Sequence, residues 1–419
     1  MKRYPSLFWT GLLVTGVLVG CGTKSPLKPA DPVDPFVERK LDPEVAASAR
    51  SLVESNNRFA LDLYAHLRTD AGNLFLSPYS VSTAFGMACA GATGQTRDEM
   101  ATVFHFTLPD DELHRTFGAL QRSIDRGGHL GGYELRTANR AWGQEGFPFL
   151  GSYLEVTREH YGAELQVTDF ITAPEAARQS VNRWVEERTN DKIPELFPAG
   201  SISSATRLVL ANAIYFKGFW AKPFDKEKTI DAPFYLSAGE SVPVSTMIMN
   251  DKFRIAQMDE LQVLELRYKG ADLSMLLLLP GRIDGLADLE ASLTLERLTG
   301  WIDRLAEDEV LVRLPRYTFS SKFKLPDVLA AMGMPSAFGE GADFSGIDGR
   351  RDLFIGHAFH QAFVEVNEEG TEAAAATGIG FDRTSVPPSF VANHPFLFLI
   401  YDHVTGSILF LGRVADPRG

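Results

Sequence analysis

The runs "LSMLLLLP" (273–280) and "PFLFLIYD" (395–402) are apolar almost throughout, which suits β-strands covered on both faces. Strand signals dominate from about Leu208, through "RLVLANAIYFKGFW", "VLVRLPRYTF", "HQAFVEVNEEG" and "GSILFLGRV". In "LQVLELRYKG", Leu264, Leu266 and Tyr268 alternate with Glu265 and Arg267, the pattern of a half-buried antiparallel strand. Helical periodicity belongs to the first half. Phe59, Leu63 and Leu67 recur four apart, a second helix runs through Val81 to Cys89, and "APEAARQSVNRWVEERT" carries Pro174 near its first turn. Helices crowd the first half and strands the second, so the fold class is α+β in one domain. The 419 residues include 29 Phe, enough for a large core, and show no internal repeat.

The N-terminus is set aside from the fold. Lys2 and Arg3 precede an apolar run from Leu7 to Val19, which reads as an export signal. Leu18-Val19-Gly20-Cys21 resembles the bacterial lipobox, which implies lipidation of Cys21 and export to a membrane, with Gly22 favouring the outer one. Residues 22–44 carry Pro26, Pro29, Pro32, Pro35 and Pro43 and read as an extended tether. The expected organisation is a signal peptide over 1–20, a lipidated tether over 21–44 and one domain over 45–419. The only membrane contact expected is the lipid anchor, on a periplasmic or extracellular face. With Cys21 lipidated, Cys89 is the one thiol left and no intrachain disulfide is possible. A net charge of −13 disfavours nucleic acid and anionic membrane surfaces as partners.

Hydrolase chemistry finds little support. The chain has neither a G-x-S-x-G elbow nor H-E-x-x-H. His357 and His360 form H-x-x-H in a segment that reads as a strand, where residues three apart face opposite sides and cannot easily share a metal. Ser321 to Lys324 matches S-x-x-K, but the Ser-Asp-Asn and Lys-Thr-Gly partners are missing. No catalytic residue, metal or cofactor is assigned, and the chain is not read as an enzyme.

Four separated segments carry a stronger signal: "VEVNEEGTEAAAAT", "NHPFLFLIYDHVTGSILFLGRVADP", "ANAIYFKGFWAKPF" and "NLFLSPYSVSTAFGMACAGATGQT". In their order along the chain and their spacing they resemble the signature segments of the serpin family, from about Leu52 to Pro417. The resemblance implies three β-sheets, about nine helices and an exposed reactive-centre loop, about 368–392. It also implies a monomeric suicide inhibitor of serine, in some members cysteine, proteases. The protease cleaves the loop and forms an acyl-enzyme; the loop then inserts into the main sheet as a new strand. A serpin-fold binding module without inhibition is the alternative, and a serine hydrolase a remote third.

The loop residues suit insertion. A strand starting at Thr371 places Thr371, Ala373, Ala375, Thr377, Ile379 and Phe381 on one face. Glu372, Ala374, Ala376, Gly378, Gly380 and Asp382 fall on the other, so both acids share a face. Gly370 supplies hinge freedom, and Thr371 to Ser385 contains no Pro that would remove a ladder donor. A short Ala-rich helix is marginal at this length. By family spacing the bait is the Thr384–Ser385 bond, suited to an elastase-like or subtilisin-like protease; the alternative is Arg383–Thr384 for a trypsin-like one. The resemblance further implies a hinge at Glu368, Gly370, Thr371 and Ala373 to Ala376 (Ala373, Ala374, Ala375, Ala376). It implies a shutter cluster of Ser77, Ser80, Asn212 and His360, and a breach at Trp220 and Arg316, with Arg316 pairing with Glu368.

Overall fold

A computed structural model describes residues 45–129, 133–270, 272–371 and 388–419. Its strands, in chain order, are β1 (Leu74–Leu76), β2 (Tyr133–Gln144), β3 (Leu165–Thr168), β4 (Leu208–Phe219), β5 (Ile230–Ser237), β6 (Glu240–Met258), β7 (Leu261–Arg267) and β8 (Leu273–Pro280). They continue with β9 (Ala306–Pro315), β10 (Tyr317–Lys324), β11 (Phe359–Val366), β12 (Gly370–Thr371), β13 (Ser389–Val391), β14 (Phe396–Asp402) and β15 (Ser407–Val414).

The two apolar runs became neighbours. β8 pairs antiparallel with β14, Leu397 opposite Leu278 and Leu399 opposite Leu276. Both are buried along nearly their whole length, as strands clad on two faces must be. They lie inside a nine-stranded sheet ordered β1-β15-β14-β8-β7-β6-β9-β13, with β5 on β6. Helices α1 (Ala46–Leu67) and α2 (Pro78–Cys89) pack against it, burying Phe59, Leu63 and Leu67. Their burial joins Phe75, Phe398 and Phe410 in one large core. A second, smaller core of Trp142, Phe170, Val181 and Trp184 lies under the helix Pro174–Arg188. Ten α-helices are present among the described residues, against the nine or so expected.

The remaining strands form a two-stranded piece, β10-β11, and a four-stranded piece, β12-β4-β2-β3. The short β12 is what relates them. It pairs antiparallel with the end of β4, Gly370 opposite Phe219 and Thr371 opposite Gly218. It is also joined to the end of β11 through the Asn367–Gly370 bridge. β4 and β11 therefore flank β12 on its two sides.

One strand reading needs correction. Glu265 in β7 does not face solvent but is buried, with 2 % of its surface exposed. Its carboxylate tolerates this because Arg254, Arg267, His403 and Ser274 all reach it. Also, His357 precedes β11 rather than lying within it, and is exposed while His360 is buried. Cys89 is a free, buried thiol whose pKa burial pushes up to about 12, which makes it inert.

Candidate functional site

The site grows from the turn Asn367-Glu368-Glu369-Gly370 between β11 and β12. Asn367 N–H donates to Gly370 O (2.9 Å), closing a two-residue hairpin. Gly370 has φ +139°, and a Cβ there would sit 2.0 Å from the carbonyl oxygen of Gly218. Only glycine lets the turn pass this close to β4.

Both acids of the turn are buried. One oxygen of Glu368 accepts from the Thr229 hydroxyl (2.7 Å), and the other faces Arg316 Nε at 3.7 Å. The expected Arg316 pairing is present, but the Arg316 side chain is half exposed and the closer contact is Thr229. Lys226 pairs with Glu369. Neither Thr229 nor Lys226 is legible in the sequence: Lys226 opens a single 3-10 turn, Lys226–Lys228, and Thr229 ends it, too short a segment for periodicity to mark a role.

Trp220 is buried and stacks on Tyr268 with centroids 4.7 Å apart. Its indole Nε1–H donates to Asn367 O (3.0 Å), and its backbone N–H donates to Glu369 O (3.0 Å). Phe224 N–H donates to Glu368 O (2.7 Å). Trp220, expected at the breach, is thus bonded to the turn itself. Reversing the charge at Glu368 removes the Thr229 bond and sets a buried cation beside Arg316, at a cost of about 3–5 kcal/mol. Glu368→Lys is expected to release the turn and promote premature insertion or polymerisation. Size-exclusion chromatography after mild heating checks this; a monomer with unchanged inhibition would show the pairing to be unimportant.

Three of the four residues expected to form the shutter, Ser77, Ser80 and His360, come together. Ser77 caps α2: its hydroxyl oxygen accepts from Ser80 N–H (3.2 Å), and Pro78 opens the first turn. The same hydroxyl donates to Leu409 O (2.8 Å). Ser77 N–H donates to Nε2 of His360 (2.9 Å), which fixes that nitrogen as the unprotonated one. Asn212 lies on β4, opposite Asn139 of β2; its side chain is outside the described residues.

Burial lowers the His360 pKa to about 4. The unfolded chain takes up this proton near pH 6.5, before the folded one does. The stability from neutral His360 is therefore complete above pH 6.5 and is lost as pH falls towards 4, amounting to about 3 kcal/mol at most. Buried His114, also lowered to about 4, acts in the same direction. Denaturant midpoints should fall between pH 7 and pH 4.5, and His360→Gln should flatten the dependence. An equal slope in that variant would remove His360 as a cause.

Ala373 to Ala376 of the hinge, the Arg383, Thr384 and Ser385 bond residues, and Cys21 lie outside the described residues. No group of three or more metal-ligating side chains occurs among the described ones.

Comparison with known proteins bears on this geometry. The family model described as Serpin (serine protease inhibitor) matches residues 54–417. Leukocyte elastase inhibitor of Sus scrofa is 45 % identical over 378 residues, 87 % of this chain and 99 % of that protein. The Homo sapiens protein of that name is 44 % identical over 379 residues, with the same coverage. Human serpin B3 is 41 % identical over 391 residues, 88 % of this chain and all of the relative. Uncleaved ovalbumin matches at TM-score 0.80 and 35 % identity, covering 88 % of this chain and 100 % of that one. A loop-inserted, cleaved ovalbumin mutant matches at TM-score 0.80 and 33 % identity, with the same coverage.

These relatives correct the localisation. They are animal proteins aligned over 99–100 % of their own length to 87–88 % of this chain, and so hold no counterpart of its lipobox-like N-terminus. The reading of an exported, lipid-anchored outer-membrane protein of bacterial type is overturned. Among the described residues no helix is long and apolar enough to cross a membrane. The family model spans most of the sequence and relatives above 40 % identity are matched end to end; the chain belongs to the serpin, or serine protease inhibitor, family.

Proposed function

We propose that the chain traps a serine protease by offering its loop as bait and inserting the cleaved loop between β4 and β11. The observation that carries this is the hairpin at Gly370. β12 already pairs with β4 and is bridged to β11, so a strand continuing from Thr371 has a defined register on both sides. Continuing it sets Ala373 opposite Phe216 and Val364, Ala375 opposite Ile214 and Ala362, and Thr377 opposite Asn212 and His360. Thr371, Ala373 and Ala375 would then face the core, since Ala362, Val364 and Val366 are each 1 % exposed. Thirteen residues, Thr371 to Arg383, reach about 43 Å as a strand.

Glu368, Gly370 and Thr371 act as the hinge in this reading, with Trp220 and Arg316 holding its upper end. Ser77, Ser80, Asn212 and His360 form the polar shutter, whose hydrogen bonds must be remade when the sheet opens. The names of the relatives support an elastase-like target cut after Thr384; a trypsin-like protease cutting after Arg383 is second. The domain is 45–419 and acts as a monomer.

Incubation with elastase, then denaturing electrophoresis and mass spectrometry, tests the proposal. The expected result is a complex stable to detergent and a C-terminal fragment beginning at Ser385. A fragment beginning at Thr384 would move the bond by one residue. Complete cleavage with no stable complex would replace the inhibitory reading with a substrate-like serpin.

A further inference from the structure

A cleft of about 290 Å3 lies beside the hinge, where β6 and β7 meet the segment that follows β4. Trp220, Phe224 and Phe253 are buried beneath it and give it an apolar floor. Four cations, Lys222, Lys252, Arg254 and Arg267, line it, in a chain whose net charge is −13.

Their neutralisation is uneven. Lys222 pairs with Asp251 at 2.5 Å while lying over the Phe253 ring, and Lys252 pairs with Glu307 at 3.4 Å, one acid to each. Arg254 and Arg267 instead share one carboxylate, Glu265, at 3.1 and 3.4 Å. Two guanidinium groups against one carboxylate leave one positive charge in excess, and His403 at 2.7 Å adds to it when protonated.

Glu265 cannot serve as the ligand's own partner. Burial raises its pKa, but the hydrogen bond from His403 and the charges of His403, Arg267 and Arg254 outweigh that and hold it down at about 2. It stays ionised and fixes the arginines in place. Nor do Ser274, His403 and Glu265 form a nucleophile relay: one nitrogen of His403, Nε2, faces both the Ser274 hydroxyl and Glu265, where a relay needs both ring nitrogens.

The geometry points to a binding site for a small organic anion, a carboxylate or sulfonate on an aromatic or short alkyl body. The body rests on Phe253, Phe224 and Trp220, and the anionic group meets Arg267 and Lys222. The volume is at the low end for ligand sites, which suits a single ring system and not a polymer. Charge-assisted hydrogen bonds from a guanidinium supply orientation. The binding does not depend on the inhibitory reading. Its floor is nevertheless bonded to the hinge turn, through Trp220 to Asn367 and Glu369 and through Phe224 to Glu368.

Calorimetric titration of the full chain with 2-naphthoate, and with the uncharged 2-naphthylmethanol, tests the site. Naphthoate is expected to bind with Kd on the order of 100 μM, and the alcohol far more weakly. Arg267→Gln and, as a second variant at a more peripheral cation, Lys222→Gln should each weaken naphthoate roughly tenfold. Absence of naphthoate binding below about 1 mM, equal binding of the alcohol, or full affinity in both variants would overturn the assignment.

Discussion

Ala375→Arg is expected to convert the protein from an inhibitor into a substrate. Continuing the register started by Gly370 and Thr371 would bring Ala375, in the proposed inserted strand, opposite Ile214 and Ala362, which are 6 % and 1 % exposed. Alanine would bring only a methyl group to that core-facing position. A guanidinium entering the same place leaves water without an acid opposite it, at a cost of several kcal/mol. Insertion races deacylation of the acyl-enzyme, so the outcome depends on relative rates. Each 1.4 kcal/mol added to the insertion barrier slows it about tenfold, enough for hydrolysis to win. Titration of elastase should show many molecules of Ala375→Arg consumed per enzyme inhibited, and electrophoresis should show cleaved chain in place of complex. Ala375→Ser, nearly isosteric, should remain an inhibitor. If Ala375→Arg still trapped protease one to one, the face assigned to Ala375, and with it the register, would be wrong.

That register rests on features of different legibility. The alternation in "HQAFVEV" is visible in the sequence and becomes the buried face of β11, because a strand period of two maps directly onto burial. Pro78 after Ser77 marks the start of α2 equally plainly, since a hydroxyl cap and a first-turn proline are local requirements. Gly370 could be named as a hinge; that it must be glycine because β4 passes within contact distance needed the fold. Long-range chemistry was less readable. Glu265 looks like a solvent-facing residue of an alternating strand, and only the arrival of Arg254 from β6 and His403 from beyond β14 explains its burial. Thr229 and Lys226 hold the turn acids from a segment with no pattern at all. The N-terminal lipobox-like motif shows the opposite failure. A short local pattern supported a localisation on a segment for which the matched relatives hold no counterpart, because four residues hold too little information to decide it.

Cleavage within the loop should raise the heat-unfolding midpoint by more than about 10 °C, the second large effect. In the intact protein β10-β11 and β12-β4-β2-β3 are two separate pieces, joined only at the short β12 among the described residues, and the inserted loop would unite them into one sheet. Cutting the loop frees its N-terminal part to continue β12 downward. About a dozen residues would then form ladders with two neighbours at once. At about 0.5–1.5 kcal/mol net per hydrogen bond, the gain is on the order of 10 kcal/mol. For a domain of this size 1 kcal/mol moves the midpoint by only about 1–2 °C, so the predicted rise is well outside the scatter of point variants. The uncleaved form is then held by a barrier, and its apparent midpoint should vary with scan rate. Limited proteolysis by any enzyme that cuts between Asp382 and Ser385, so that about a dozen residues from Thr371 are freed, followed by calorimetry, makes the comparison without needing the true target. Ala375→Arg provides the internal control: it is cut in the same place, yet its core-facing charge should hold back most of the rise. An unchanged midpoint in the cleaved wild-type chain would mean that the space between β4 and β11 does not accept the loop, and the trapping mechanism would have to be given up.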